Sequence, residues 1–171
     1  MKKVISLLSV FLFVAGLSEA LASNYADSLK TNNNKEEQSM QEVYDFMKKC
    51  GHYFIATVDG DQPRVRAFGT VVIFDNRICI QTGRKKNVSR QMKANPKIEI
   101  CALDLPTGKW LRVAATVVED DRQEARQFML DQYPELKSMY SADDGNTQVL
   151  ALTNVTATFS SFDGDSKEVK F

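Results

Sequence analysis

The 171-residue sequence predicts a mainly β chain with short helices, an α+β fold in which about six antiparallel strands roll into a small barrel. Three observations predict it. Short runs rich in Val, Ile, Thr and Phe, with apolar residues on alternate positions, recur from His52 to Phe162. The amphipathic helical segments between them are short. No Gly-x-Gly-x-x-Gly follows any of the runs and no Gly-x-Ser-x-Gly occurs, which argues against a doubly wound nucleotide fold and a hydrolase elbow.

Met1-Lys2-Lys3 is a positive n-region, Val4 to Leu17 an apolar run, and Ala20-Leu21-Ala22 a small-x-small site. Together they read as a secretory signal peptide over residues 1–22, cut before Ser23, and the apolar run is short for a membrane span. An uncleaved anchor is the alternative. The expected location is therefore the periplasm or the cell exterior. The sequence carries 22 basic and 22 acidic side chains; cleavage removes Lys2, Lys3 and Glu19, leaving a net charge of −1. That balance excludes the basic excess of a nucleic-acid surface. Residues 23–38 are polar and lack apolar periodicity, so a flexible leader is expected there, ahead of one domain over 39–162 and a loose tail over 163–171.

Ser39-Met40-Gln41-Glu42 has the form of a capping box and predicts a helix with Met40, Val43, Tyr44, Met47 and Cys50 along its apolar stripe, ended by Gly51. His52 to Val58 is the first strand, and Asp59-Gly60-Asp61 turns it into a second, Arg64 to Ile73. Alternation assigns Val65, Ala67, Gly69, Val71 and Ile73 to the core and leaves Arg64, Arg66 and Phe68 on the other face. Asp75-Asn76 is a tight turn into Arg77 to Thr82. Gly83 breaks that strand, and Arg84-Lys85-Lys86 opens a helix reaching Ala94, which Asn95-Pro96 ends. Cations at a helix start oppose the dipole. They make sense where an external anion sits between them and the free backbone N–H groups, with Arg66 and Lys86 as the arms. The alternative is a solvated basic rim.

Lys97 to Leu103 is the next strand, followed by a loop and the longer strand Lys109 to Val118, whose core face is Leu111, Val113, Ala115 and Val117. Trp110, the one tryptophan, points away from that face, either to stack on a planar ligand or pack at a subunit interface, or simply to pack at the edge. Asp121 to Tyr133 is an amphipathic helix broken by Pro134, with a further turn over Glu135 to Tyr140. Thr147 to Leu152 and Val155 to Phe162 close the barrel. Of the three cysteines, Cys79 and Cys101 are expected to be buried mid-strand, with no disulfide. His52, the one histidine, is structural or, in a functional reading, an axial haem ligand; it cannot build a metal site alone. Asp143 and Asp144 form a solvated acidic loop.

The order and spacing of Arg66-Ala67-Phe68-Gly69, Gln81-Thr82, Lys86-Asn87 and Asn95-Pro96 resemble the pyridoxamine 5′-phosphate oxidase family of FMN-binding split barrels, over about Met40 to Phe162. The resemblance implies a six-stranded antiparallel split barrel that dimerises with itself, the flavin lying at the interface. It implies that Arg66 and Lys86 hold the FMN phosphate, that Ala67, Phe68, Gly69 and Thr70 flank the ring, and that Gln81 and Thr82 lie on the ribityl and phosphate side. Arg64, Asn87 and Trp110 complete the expected cofactor-binding set, although the family usually has a polar side chain near the position of Trp110. Val71 stands where the name-giving oxidase has a lysine, which points away from vitamin B6 oxidation and toward another flavin-dependent oxidoreductase, with a small-molecule substrate and a nicotinamide or other electron donor. The alternative is a non-enzymatic binding protein on the same fold, with haem or another ligand, or with an empty site.

Overall fold

A computed structural model describes residues 8–171, with side chains from Asn24 onward. The chain divides into two units, one ending at Glu36 and the other running from Glu37 to Phe171. Helix α1 spans Leu8–Cys50. Residues 24–38, expected to be irregular, are helical and exposed along their length. They contain neither Pro nor Gly and end in Lys-Glu-Glu-Gln, residues that favour a helix even without packing. Ser39 consequently lies inside α1 and caps nothing. The stripe that follows is as the periodicity predicts: Met40, Val43 and Met47 are buried, with Tyr44, Phe46 and Cys50 packed beside them. The expected n-region Met1–Lys3 lies outside the described residues. No helix among the described residues is long and apolar enough to cross a membrane.

The second unit is built on a single antiparallel sheet. Its strands are β1 (Tyr53–Asp59), β2 (Gln62–Phe68), β3 (Val72–Phe74), β4 (Arg77–Gly83), β5 (Lys97–Asp104), β6 (Lys109–Asp120), β7 (Thr147–Ser160) and β8 (Ser166–Lys170). Helix α2 (Asn87–Ala94) joins β4 to β5, and α3 (Gln123–Gln132) with a 3-10 turn (Pro134–Ser138) lies between β6 and β7. The spatial order is β2-β1-β5-β6-β7-β4-β3, with β8 added on β7. Strands β2 and β3 therefore hold opposite edges of the sheet although only Gly69, Thr70 and Val71 separate them in the chain. The sheet curls to bring its edges together without pairing them: a split barrel.

That split overturns the single strand expected over Arg64–Ile73. Side chains and a neighbouring backbone group satisfy the crossing segment in place of a ladder: the Tyr53 hydroxyl donates to the Thr70 carbonyl at 2.5 Å, the Gln81 N–H donates to Thr70 Oγ1 at 3.1 Å, and the Tyr133 hydroxyl accepts from the Val71 N–H and donates to its carbonyl at 2.9 and 3.0 Å. Among the described residues eight strands stand where the sequence marks seven runs for a barrel of about six strands. One reason is this division. The other is that the expected loose tail folds back as β8, its Phe171 exchanging backbone hydrogen bonds with Val155. The two expected closing strands are one, β7, which Asn154 continues at a positive φ of 51°. Asp75 and Asn76, at φ 52° and 55°, make the two-residue hairpin turn with both central residues left-handed that matches strand twist.

The barrel interior is filled by Ile55, Ile78, Ile80, Ile100, Leu111, Val113 and Leu152. A second, smaller core forms on the other side of β4 and β7, where Cys79, Val149 and Ala151 pack under Ala125 and Met129 of α3. The face assignment along β2 is the reverse of the one expected. Val65 is 65% exposed, and Ala67 is exposed too, whereas Arg66 and Phe68 are half-buried. The cause is register: Arg66 lies opposite Ile55 and Phe68 opposite Tyr53, both buried, while Val65 and Ala67 lie opposite Ala56 and Phe54 on the outside. Cys101 pairs with Phe54 on that outer face and is exposed, not buried; Cys79 is buried, and all three cysteines are free.

Candidate functional site at the seam of the barrel

The edges of the sheet approach at the β2–β3 crossing, and there they leave a cavity of about 400 Å³, within the range of small-molecule sites. It is lined by Arg66, Ala67, Phe68, Gly69 and Thr70 from the crossing, Gln81 and Thr82 from β4, and Lys86 and Val88 from the start of α2. Leu136, Met139 and Tyr140 cover it from the segment after α3. No carboxylate lines it.

Arg66 reaches into the barrel because β2 carries it on the inner face. Its Nη1 donates to Thr57 Oγ1 at 2.6 Å and its Nη2 to Gln91 Oε1 at 2.8 Å. Gln91 is presented by α2, whose buried side is Val88, Ser89, Gln91 and Met92, and Thr57 donates to the same Gln91 oxygen at 2.8 Å. Two neutral acceptors thus fix the fork, yet no carboxylate neutralises it among the described residues. Burial, then the neighbouring Arg64, lower its guanidinium below the ordinary arginine value, with Asp59 opposing them. A half-buried charge without a counter-ion is costly unless an anion joins it.

Lys86 is the N-cap residue of α2, and no side chain caps that helix. Its ammonium lies 5.9 Å from the centre of the Tyr140 ring and has no acidic partner among the described residues. The Arg66 and Lys86 cations therefore share the cavity with Val88 from the start of α2, a helix start that no side chain caps. Arg84, from the same basic run, is spent: it pairs with Glu119 and Asp121. Gln81 is 6% exposed, and neither amide atom has a hydrogen-bond partner within the protein. An orphaned buried amide beside a positive cavity fits a polar, anionic ligand.

Eight of the eleven residues proposed from the sequence meet here: Arg66, Ala67, Phe68, Gly69, Thr70, Gln81, Thr82 and Lys86. Three do not line the cavity. Arg64 is exposed and lies 3.5 Å from Asp59. Asn87 turns its Oδ1 to Arg90 at 2.5 Å. Trp110 packs on Phe162, their ring centres 5.2 Å apart. Sequence reasoning missed Val88, Leu136, Met139 and Tyr140, and the Thr57–Gln91 pair that sets the Arg66 fork. The three cover residues come from a segment more than 50 residues beyond Thr82, and no motif marks them. His52 is exposed and does not line the cavity; its ring would lie 3.5 Å from a Cβ at Gly69. Among the described residues no cluster of His, Cys, Asp and Glu suits a metal ion.

Comparison with known proteins gives a consistent picture. A sequence model of the family described as pyridoxamine 5′-phosphate oxidase matches residues 39–161. Among solved structures, a NimC/NimA family protein from Clostridium acetobutylicum is 38% identical, with a TM-score of 0.77 over 81% of this chain and 96% of that one. A pyridoxamine 5′-phosphate oxidase-related, FMN-binding protein from Nostoc punctiforme shares the fold at 14% identity and a TM-score of 0.55, over 77% of this chain and 94% of that one. A haem-binding protein from Mycobacterium smegmatis shares it at 14% identity and a TM-score of 0.60, over 80% of this chain and 57% of that one. No curated protein matches the sequence.

Proposed function

Because the chain belongs to the pyridoxamine 5′-phosphate oxidase family, its match running over residues 39–161, from α1 through β7, we propose that it binds FMN in the seam cavity and acts as an exported, flavin-dependent oxidoreductase of a small molecule. One observation carries the reading: the inward Arg66, held by neutral acceptors and lacking a carboxylate, shares its cavity with Lys86 and an uncapped helix start. Two cations and free N–H groups suit a phosphate dianion. The flat, apolar stretch Ala67-Phe68-Gly69 and the amide of Gln81 suit a planar heterocycle with polar edges.

Bound FMN would supply two-electron transfer, with a nicotinamide or another donor as reductant. The protein's part is to hold the phosphate through Arg66 and Lys86, to orient the ring along the crossing segment, and to cover it with Leu136, Met139 and Tyr140. We propose a homodimer as the working form. Ala67 belongs both to the cavity and to the exposed outer face of β1 and β2, where Phe54 and Val65 also lie, so a second copy seated there would adjoin the ligand. Export rests on the leader read from the sequence.

The test is an absorbance scan of the purified chain before and after FMN loading and desalting. Flavin bands that persist support the reading. Arg66→Ala and Lys86→Ala should each weaken FMN binding about tenfold to a hundredfold, the loss of one charge-assisted contact. If both variants hold FMN as the parent does, the assigned site is wrong. A haem band that appears instead, and that vanishes in His52→Ala, would favour the second reading, in which His52, beside Gly69, ligates haem.

A further inference from the structure

The turn that presents Lys86 is gripped from outside the cavity. The Asn146 carbonyl accepts the Arg84 N–H at 2.7 Å, and Asn146 Oδ1 accepts the Lys85 N–H at 3.1 Å. The Lys86 N–H then closes onto the Gly83 carbonyl at 3.0 Å. Every residue from Gly83 to Lys86 is thus fixed by backbone bonds, two of them to one asparagine. The Arg84 guanidinium adds its bonds to Glu119, Asp121 and the Gly145 carbonyl.

Asn146 is itself held. Its N–H and that of Thr147 donate to Asp144 Oδ1 at 2.7 and 2.6 Å, while the Ser141 N–H and the Thr147 hydroxyl donate to Asp144 Oδ2 at 3.1 and 3.0 Å. The amide also lies flush against the backbone of Gly83: a Cβ there would come within 3.2 Å of both Asn146 Nδ2 and Oδ1. Gly83 thus admits the clamp by lacking a side chain.

Resting on the flavin reading above, we infer that Asn146 is the positioning residue of the phosphate-binding turn, acting through the backbone of Lys85 on Lys86 and the start of α2 without lining the cavity. Loss of its side chain removes the Lys85 bond while the Asn146 carbonyl still holds Arg84, so it loosens the turn next to Lys86 and leaves the ring-binding stretch, Ala67-Phe68-Gly69, as it was. The effect therefore falls on the phosphate and not on the ring.

The experiment compares FMN with riboflavin, which has the same ring and no phosphate, by fluorescence titration of the full chain. Asn146→Ala is expected to weaken FMN about tenfold and to leave riboflavin affinity as in the parent. Gly83→Ala, whose Cβ would crowd the same amide at 3.2 Å and push it by a few tenths of an ångström, is expected to show a smaller loss of the same selectivity, and it decides the matter if Asn146→Ala does not fold. Equal loss of both ligands in the folded variants reduces Asn146 to a structural role and overturns the inference; so does unchanged FMN binding, while the flavin reading stands in either case. A parent chain that binds neither ligand overturns the flavin reading and this inference together.

Discussion

Arg66 and Asp120 show how much a single residue depends on what faces it. Arg66 was visible in the sequence as a cation inside an apolar strand, but its face was not, because Val65 and Ala67 look like core residues and are the exposed ones. Asp120 ends β6 nearly buried, with Arg77 Nη2 and Arg122 Nη2 at 2.8 and 2.7 Å from its Oδ2. The Arg122 side-chain hydrogen bond is the main cause that holds its carboxyl at about 2, against the opposing effect of burial. A carboxyl depressed in the fold stabilises it above the unfolded value of 3.8, and that stability is lost as the pH falls through the folded value, from about pH 4 to about pH 2. Asp120→Asn should cost up to about 2 kcal/mol at neutral pH and flatten the acid limb of a urea-midpoint profile. An acid limb identical to the parent's would show that Asp120 is not the group responsible.

At the level of elements, periodicity located α2, α3, the buried end of α1 from Met40 to Cys50 and most of the strands, because burial on one face writes itself into local alternation; the exposed stretch of α1 before Ser39 carries no such stripe. It could not locate the break at Gly69–Val71. Strand-like residues continue through it, and the groups that end the ladder come from Tyr53 and Tyr133, far away in the chain. Tyr133, at the end of α3, is the main tie: one hydroxyl satisfies both backbone groups of the buried Val71 and also accepts from Lys48 Nζ of α1 at 2.9 Å. Tyr133→Phe leaves the Val71 N–H and carbonyl unpaired and should lower stability by about 1–3 kcal/mol in urea unfolding; under the proposed function it should also weaken FMN binding as the crossing segment slackens. Stability unchanged within error would mean that water takes over the role of the hydroxyl.

For the whole molecule, the outer face of β2, β1 and β5 is the feature without an internal explanation. Phe54 is 55% exposed, Val65 65% and Leu103 44%, an apolar patch of the kind that marks an interface. Sedimentation velocity should find the parent as a two-chain species, and Phe54→Lys, which sets a charge amid the patch, should shift it to single chains with weaker flavin retention. A parent that sediments as one chain at micromolar concentration would remove the dimer from the proposal.

By itself the sequence determined the class of fold, the strand arginine and basic turn of the candidate site, and the family, because these rest on local alternation, helix breakers and the spacing of a few residues along one stretch. Tertiary structure alone decided which side of β2 faces inward, where the sheet fails to close, and which distant side chains cover the cavity. Those depend on register between strands and on hydrogen bonds between residues 34 to 62 positions apart, such as Thr57 with Gln91 and Val71 with Tyr133. A pairing at that separation is set by the folded geometry and leaves no periodic trace in the chain.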